Sequence, residues 1–366
     1  MPRFTGQING IAKQRMSFIR PHITCRFIRN PGFGGGGLEH LNSTTISLSA
    51  PMLKESVMAG ASVTAHEFFH LWNVKRIRPK VLGPFDYSQP VRTKALWFSE
   101  GVTSYYADLT QVRTGLVTPE QFLDRHARQI RVLQSNPDRL KTSVEQASWE
   151  IWDRGYGSSG VNYYNKGQLL GLLLDLRLRH EAGNKKSLDD MFRHLNQNYA
   201  KLGKGFEEDE LPKIASQITG KDLRDFFTKY VAGVEELPSQ EYLAWAGIET
   251  RVEQKRLATL GNVRLFGPQN SVFRLDDGPA AQAGLQRRDL LKEVNGTPIK
   301  NQRDLDAIVA AKTPGDTLRM KVARGEESLR FDVTLEAREE VNYKLSFMQN
   351  PTPMQLKIRE GLLKGN

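Results

Sequence analysis

Hydrophobic and polar positions change their spacing near residue 250, dividing the chain into a helical part and a β-rich part. In the helical part, Leu53 to Ile77 contains no proline and is compatible with helix. Pro79, Gly83, Pro84 and Pro90 make residues 78–94 a loop that leads to a second helix beginning near Trp97. Thr118 supplies an N-cap and Pro119 a first-turn proline for a polar, largely helical stretch reaching Gln146. The run LeuLeuGlyLeuLeuLeuAspLeuArgLeu from Leu169 is broken by Asp175 and Arg177 and is too short to span a bilayer, so it reads as a core helix. Helical patterns continue through Ser187 to Leu195 and Lys221 to Tyr230, closing near Gly247. From about Arg251, short β-like runs alternate with turns. AsnGly at 295 and 296 reads as a hairpin turn, a helix is predicted over 302–311, and LeuArgMetLysValAla and LeuArgPheAspValThrLeu read as strands. The pattern predicts an α+β protein with a mainly helical domain over 32–248, a small β-rich domain over 251–338 and a polar tail over 339–366.

With 366 residues and 39% hydrophobic content, the chain is long enough for two or three domains with real cores. The formal net charge of +11 points to no nucleic-acid partner, because after residue 38 the basic residues are scattered among acidic ones without an aromatic-interleaved patch. Residues 1–31 are different: they carry Arg3, Lys13, Arg15, Arg20, Arg26 and Arg29 and no acidic residue. They read as a basic leader, disordered or a misplaced start, without a secretory apolar segment. The single Cys25 excludes an internal disulfide and a multi-cysteine zinc site, so any metal must be held by histidine and carboxylate.

Such a set is present in ThrAlaHisGluPhePheHis. On a helix, His66 and His70 project from one face about one turn apart. Two neutral nitrogens on adjacent turns suit two corners of a zinc tetrahedron, and Glu67 lies in place to act as general base toward a water. Glu100, in TrpPheSerGluGly, is the candidate third ligand, its alternative being an acid that favours a helix N-terminus. Gly35, Gly36 and Gly37 let the backbone come close to a ligand. The strand-like segment after them could pair with an extended peptide whose free amine Glu39 would bind. Tyr163 and Tyr164 open the helix at Lys166 and Gly167, where a hydroxyl could reach a developing oxyanion or simply pack. His126 is expected on a solvated helix face, and His180 and His194 as ordinary surface residues.

HisGluPhePheHis, TrpPheSerGluGly, GlyGlyGlyLeuGluHis and TyrTyrAsnLysGly together resemble the M61 glycyl aminopeptidase family, a gluzincin group of zinc metallopeptidases, over roughly residues 32–248. ProAlaAlaGlnAlaGlyLeu, the Asp289 segment, AsnGly and ProGlyAsp resemble a bacterial PDZ domain. The resemblance implies a thermolysin-like catalytic domain holding one Zn²⁺ per chain on His66, His70 and Glu100. It also implies Glu67 as base, Tyr164 stabilising the tetrahedral intermediate, with Tyr163 as its competitor, and Glu39 recognising the substrate's amino terminus. Three departures stand out. The β-rich domain that precedes the glycine-rich strand in the family has only about thirty basic residues in its place, so the chain reads as N-terminally truncated. Arg288 stands where PDZ domains carry glycine. The nearest match to a carboxylate-binding loop, LeuPheGlyPro, contains Pro268, which has no donor N–H.

The function expected is a zinc aminopeptidase that removes glycine or alanine from peptides with a free N-terminus. The alternatives are a PDZ-assisted zinc endopeptidase and an inactive, truncated peptide-binding fragment. A peptide or protein ligand is expected for the PDZ domain, with no transmembrane segment. As written, without a signal peptide, the chain reads as cytoplasmic; with a different start it would be periplasmic or secreted.

Overall fold

The structure, a computed structural model, describes residues 24–30, 35–55, 57–86, 88–154 and 160–365. Residues 1–23 and 31 of the expected leader lie outside the described residues. Two compact units are present. The first takes the chain up to Arg251 and again from Tyr343, and the second spans Val252–Asn342.

The first unit begins with a three-stranded sheet in the order β1-β3-β2. Strand β1 (Thr24–Asn30) pairs in parallel with β3 (Ser43–Ser49), and β2 (Gly36–Glu39) runs antiparallel to β3 on its other side. The leader expected for 1–31 is therefore corrected at its end, where Thr24 to Asn30 form a seven-residue strand. Backbone pairing to β3 fixes it although Arg26 and Arg29 obscure the apolar pattern.

Helix α1 (Ala61–Phe69) follows a 3₁₀ turn over Val57–Gly60 and is much shorter than the run from Leu53 to Ile77 allows. It stops at His70, after which the Leu71 and Trp72 N–H groups tighten onto the carbonyls three residues back, Phe68 O at 3.2 Å and Phe69 O at 3.0 Å, and the Asn73 side-chain amide ties the turn to the next element. That amide donates to Phe98 O at 2.8 Å and to Thr103 Oγ1 at 3.1 Å. The chain then turns through Lys75, whose N–H donates to His70 O at 3.1 Å.

A π-helical turn over Trp97–Val102 leads into α2 (Thr103–Arg113). Helix α3 (Pro119–Gln134) begins with a capping box between Thr118 and Gln121. Helix α4 (Tyr163–Glu181) is buried along nearly its whole length and forms the spine of the core, with Trp97, Phe98, Tyr105 and Phe122 buried in the same cluster. The π-helical turn lies directly on α4 because both surfaces carry glycine. A Cβ on Gly101 would stand 2.4 Å from Gly167 Cα, and one on Gly167 would stand 2.6 Å from Trp97 O. No other side chain permits this approach.

Asp175 and Arg179 lie inside this apolar spine with their charges matched. Asp175 accepts from Tyr105 Oη at 2.7 Å, Arg179 Nε at 3.2 Å and the Leu188 N–H at 2.8 Å. His126, expected on a solvated face, is instead fully buried. Its Nδ1 bonds Phe122 O at 2.9 Å and its ring lies 4.2 Å from that of Phe122. It belongs to the apolar face of α3 with Phe122, Leu123 and Ile130, four residues on from Phe122.

The tail expected over 339–366 is also corrected. After β11 (Glu336–Phe347), a helix over Pro353–Lys364 starts with a capping box between Thr352 and Gln355 and buries Ile358 and Leu362 completely in the first unit's core. Arg113 Nε donates to Leu362 O at 3.0 Å, and Gln355 Nε2 to Ala244 O at 2.7 Å. Ile358 and Leu362, four apart, seat the helix with Leu363 packed beside them, while Met354 and Leu356 stay exposed.

The second unit is a sheet in the order β10-β9-β7-β6-β5 with a small helix over Pro279–Gln282 and a longer one over Gln302–Ala310. Its strands are β5 (Val263–Phe266), β6 (Ser271–Leu275), β7 (Leu290–Val294), β8 (Thr297–Pro298), β9 (Thr317–Arg324) and β10 (Glu327–Thr334). The chain leaves the first unit along β4 (Ile248–Thr259) and returns along β11, and these two strands pair. Asn295 and Gly296 both have positive φ, 51° and 77°, in the two-residue turn from β7 to β8. Buried Asp289 takes Arg324 Nε at 2.8 Å and the Gln286 N–H at 2.8 Å.

Arg288 sits beside it with φ 76° while its N–H donates to Val272 O at 2.8 Å. A non-glycine residue held there costs about 1 kcal/mol. Arg288→Gly is therefore expected to stabilise this unit by about that amount, read as slower hydrogen exchange across 252–342; unchanged or faster exchange would contradict it.

Candidate metal centre and active site

His66 projects from the last turn of α1 and His70 from the residue that ends it. Glu100 comes from the π-helical turn that the Gly101–Gly167 contact holds against α4. Their ligand atoms converge: His66 Nε2 and His70 Nε2 are 3.0 Å apart and lie 3.1 and 3.3 Å from Glu100 Oε2.

The far side of each imidazole is already committed. His70 Nδ1 donates to Asn73 O at 2.6 Å. Ser104 Oγ spends its proton on Glu100 O at 3.0 Å, so it accepts from His66 Nδ1 at 3.2 Å. Both Nε2 atoms are thereby turned toward the carboxylate and each other. Such a group suits a cation in its midst. Without a metal the demand falls on a proton: burial opposes charge on His70, but the adjacent Glu100 carboxylate overrides it and raises the imidazole to about 9. Burial pushes Glu100 up, yet His70 and the histidine hydrogen bonds hold it below the usual carboxylate range. For metal–ligand bonds of about 2.0–2.1 Å, tetrahedral ligand atoms lie about 3.3–3.4 Å apart, close to the separations seen. His66, His70 and Glu100 thus fit a zinc-sized ion, with a proton as its competitor.

Glu67 is 6% exposed, and its Oε2 has no hydrogen-bond partner among the described residues. Burial raises its carboxyl to about 7, against the pull of a charged His70. It packs onto strand β2 at Gly37, where a Cβ would stand 2.1 Å from Glu67 Cδ. Of the three glycines singled out, Gly37 makes this approach; a Cβ on Gly35 would stand 3.0 Å from Ser47 O, and one on Gly36 would meet open space. Glu39, at the end of β2, brings a carboxylate oxygen within 4.8 Å of ligand atoms of both Glu67 and His70.

Asn162 caps α4 by accepting from the Tyr164 N–H at 2.8 Å, which aims the first turn. Tyr164 is half-buried with its ring 6.0 Å from that of His66, whereas Tyr163 is 5% exposed and belongs to the core. The ring beside His66 is thus that of Tyr164. His126 packs inside α3, His180 stacks on Trp245 at 4.1 Å and His194 lies 6.5 Å from Tyr199. None of them belongs to the metal-ligand groupings.

Sequence reasoning missed Lys75, Asn73 and Ser104. Ser104 lies four residues after Glu100, a helical spacing that could have revealed it. Lys75 and Asn73 lie in a turn without periodicity. Lys75 Nζ stands 3.1 Å from Glu39 Oε1 with only 10% of its side chain exposed.

In the second unit, Leu265 and Phe266 of LeuPheGlyPro end β5, and Gly267 and Pro268 open the turn to β6. A cavity of about 820 Å³ lies between β5 and the helix over Gln302–Ala310, lined by Leu260, Gly261, Asn262, Val263, Leu305 and Val309 among others. Strand β5 ends the sheet, and the Gln302 side chain bonds its outer edge. Gln302 Oε1 accepts from the Leu265 N–H at 2.8 Å while Nε2 donates to Val263 O at 3.3 Å.

The fold is a mainly helical unit followed by a small β-rich unit. Residues 59–170 match the M61 glycyl aminopeptidase family and residues 252–335 match the PDZ domain. A crystal structure of an aminopeptidase N family protein from Idiomarina loihiensis shares the fold, with a TM-score of 0.79 at 24% identity over 99% of this chain and 66% of that one. A probable periplasmic serine endoprotease, DegP-like, of Brucella suis is 39% identical over 99 residues, 25% of this chain and 18% of that protein. A protein of the same description from Pseudomonas putida is 36% identical over 95 residues, 25% of this chain and 19% of its own length. This chain therefore spans less than a fifth of those curated relatives. No described helix is long and apolar enough to cross a membrane.

Proposed function

We propose that the first unit is a zinc-dependent aminopeptidase that removes small N-terminal residues, glycine or alanine, from peptides. The observation that carries this reading is the convergence of His66, His70 and Glu100 on one point, with Glu67 and Glu39 beside it and Tyr164 across from His66. A zinc ion held there would polarise the scissile carbonyl and acidify a water. Glu67, buried and unpaired at Oε2, takes the proton from the attacking water and passes it to the leaving amine. The Tyr164 hydroxyl donates to the oxygen on which charge develops. Glu39 accepts the substrate's ammonium and so fixes cleavage one residue from the end. The preference for glycine or alanine rests on the resemblance to the M61 family. A peptide or protein ligand for the second unit would enter between β5 and the helix over Gln302–Ala310, adding a strand where the Gln302 amide now bonds.

The test is hydrolysis of glycyl-p-nitroanilide against its N-acetylated form. The free amine is expected to be cleaved at least about a hundredfold faster, since blocking it leaves a buried carboxylate without its partner. Equal rates would take the exopeptidase role away from Glu39 and favour endopeptidase action.

A further inference from the structure

Glu39 does not wait for a substrate amine with a bare carboxylate, because Lys75 Nζ already lies 3.1 Å from its Oε1. Both side chains are largely buried, 10% and 19% exposed. The Lys75 backbone is anchored to His70 O at 3.1 Å, so the side chain is directed at this spot by the same turn that orients a candidate metal ligand. Its ammonium also lies 4.6 Å from the centre of the Phe85 ring. It thus has a second favourable contact that does not involve Glu39.

We propose that Lys75 is a specificity-determining residue, an internal counter-ion that occupies Glu39 and that the ammonium of the incoming peptide must displace. This rests on the proposed reading of Glu39 as the amine-binding carboxylate and extends it. Two physical consequences agree in sign. The lysine charge repels an arriving ammonium, and the ion pair removes the acceptor that the ammonium needs. Both raise the threshold for cationic ligands. The free enzyme avoids a buried, unpaired carboxylate next to Glu67, and only a ligand with further contacts in the cleft completes the exchange. Phe85 offers the displaced ammonium a place to rest. A lysine that merely braces Glu39 would have the opposite effect, since its removal would let the carboxylate swing away and weaken amine binding.

The experiment is calorimetric titration of the zinc-loaded full chain with glycinamide, and with N-acetylglycinamide as the uncharged control. Lys75→Met is expected to bind glycinamide about tenfold more tightly than wild type, while Lys75→Arg, which keeps the charge, stays near wild type. The gain is expected to vanish in Lys75→Met combined with Glu39→Gln, and the acetylated control to be indifferent to all of these changes. Thermal melts identify any variant that fails to fold, for which Lys75→Gln is the substitute. Unchanged or weaker glycinamide binding in folded Lys75→Met would overturn the proposal, as would a gain that survives Glu39→Gln. Equal hydrolysis of free and acetylated anilides by wild type would instead fail the amine-recognition reading itself, independently of the Lys75 titration.

Discussion

Glu67→Gln is expected to retain one zinc per chain and to lose between about 10²- and 10⁴-fold in kcat. The amide matches the carboxylate in shape, so it can occupy the narrow space against Gly37, where even a Cβ would overlap Glu67. What it cannot do is accept a proton. Because the converging atoms of the metal group belong to His66, His70 and Glu100, the substitution separates proton transfer from metal binding. A steady-state rate measured beside a metal determination reads both. Activity within tenfold of wild type would exclude Glu67 as the base, and loss of metal would place it among the ligands.

The second large effect concerns the scaffold. Asp175→Ala is expected to cost about 3–5 kcal/mol of stability, because it strips a fully buried arginine of its carboxylate. Arg179 is completely buried, and the same carboxylate also accepts from Tyr105 and from the first N–H of the helix over Leu188–Asn198. Asp175→Asn keeps an acceptor for the Leu188 N–H and turns an NH2 toward Tyr105 Oη, which can accept in its place, so it is expected to cost less. Urea denaturation followed by far-UV circular dichroism measures the difference. A loss below about 1 kcal/mol for the alanine variant would mean that the interior rearranges to hydrate the guanidinium.

The parts of this molecule legible in its sequence are those governed by local spacing. His66 and His70 lie one helical turn apart, so a single short helix was enough to place them on one face. The change of period near residue 250 marked the boundary between units for the same reason, and AsnGly at 295 and 296 announced the positive φ values found there.

What escaped depends on distant partners. Glu100 could be proposed as a ligand, but its π-helical setting depends on Gly101 meeting Gly167, sixty-six residues on in the sequence. Lys75 reaches back to Glu39 across four elements, and no periodic pattern marks such a contact. The strand over Thr24–Asn30 is held by its ladder to β3 and its basic residues conceal it. The final helix and His126 are a different case. Phe122 with His126, and Ile358 with Leu362, were visible four-residue pairs outweighed by the polarity around them.

The central claim is that His66, His70 and Glu100 form one metal site, and zinc stoichiometry by mass spectrometry of the folded chain tests it most directly. The account predicts one zinc per chain in wild type and substoichiometric zinc in folded His70→Ala and Glu100→Ala proteins, with metal lost on acidification as protons compete for the imidazoles. Folded wild-type protein that takes up no zinc from excess, or alanine variants that hold it as tightly as wild type, would contradict it.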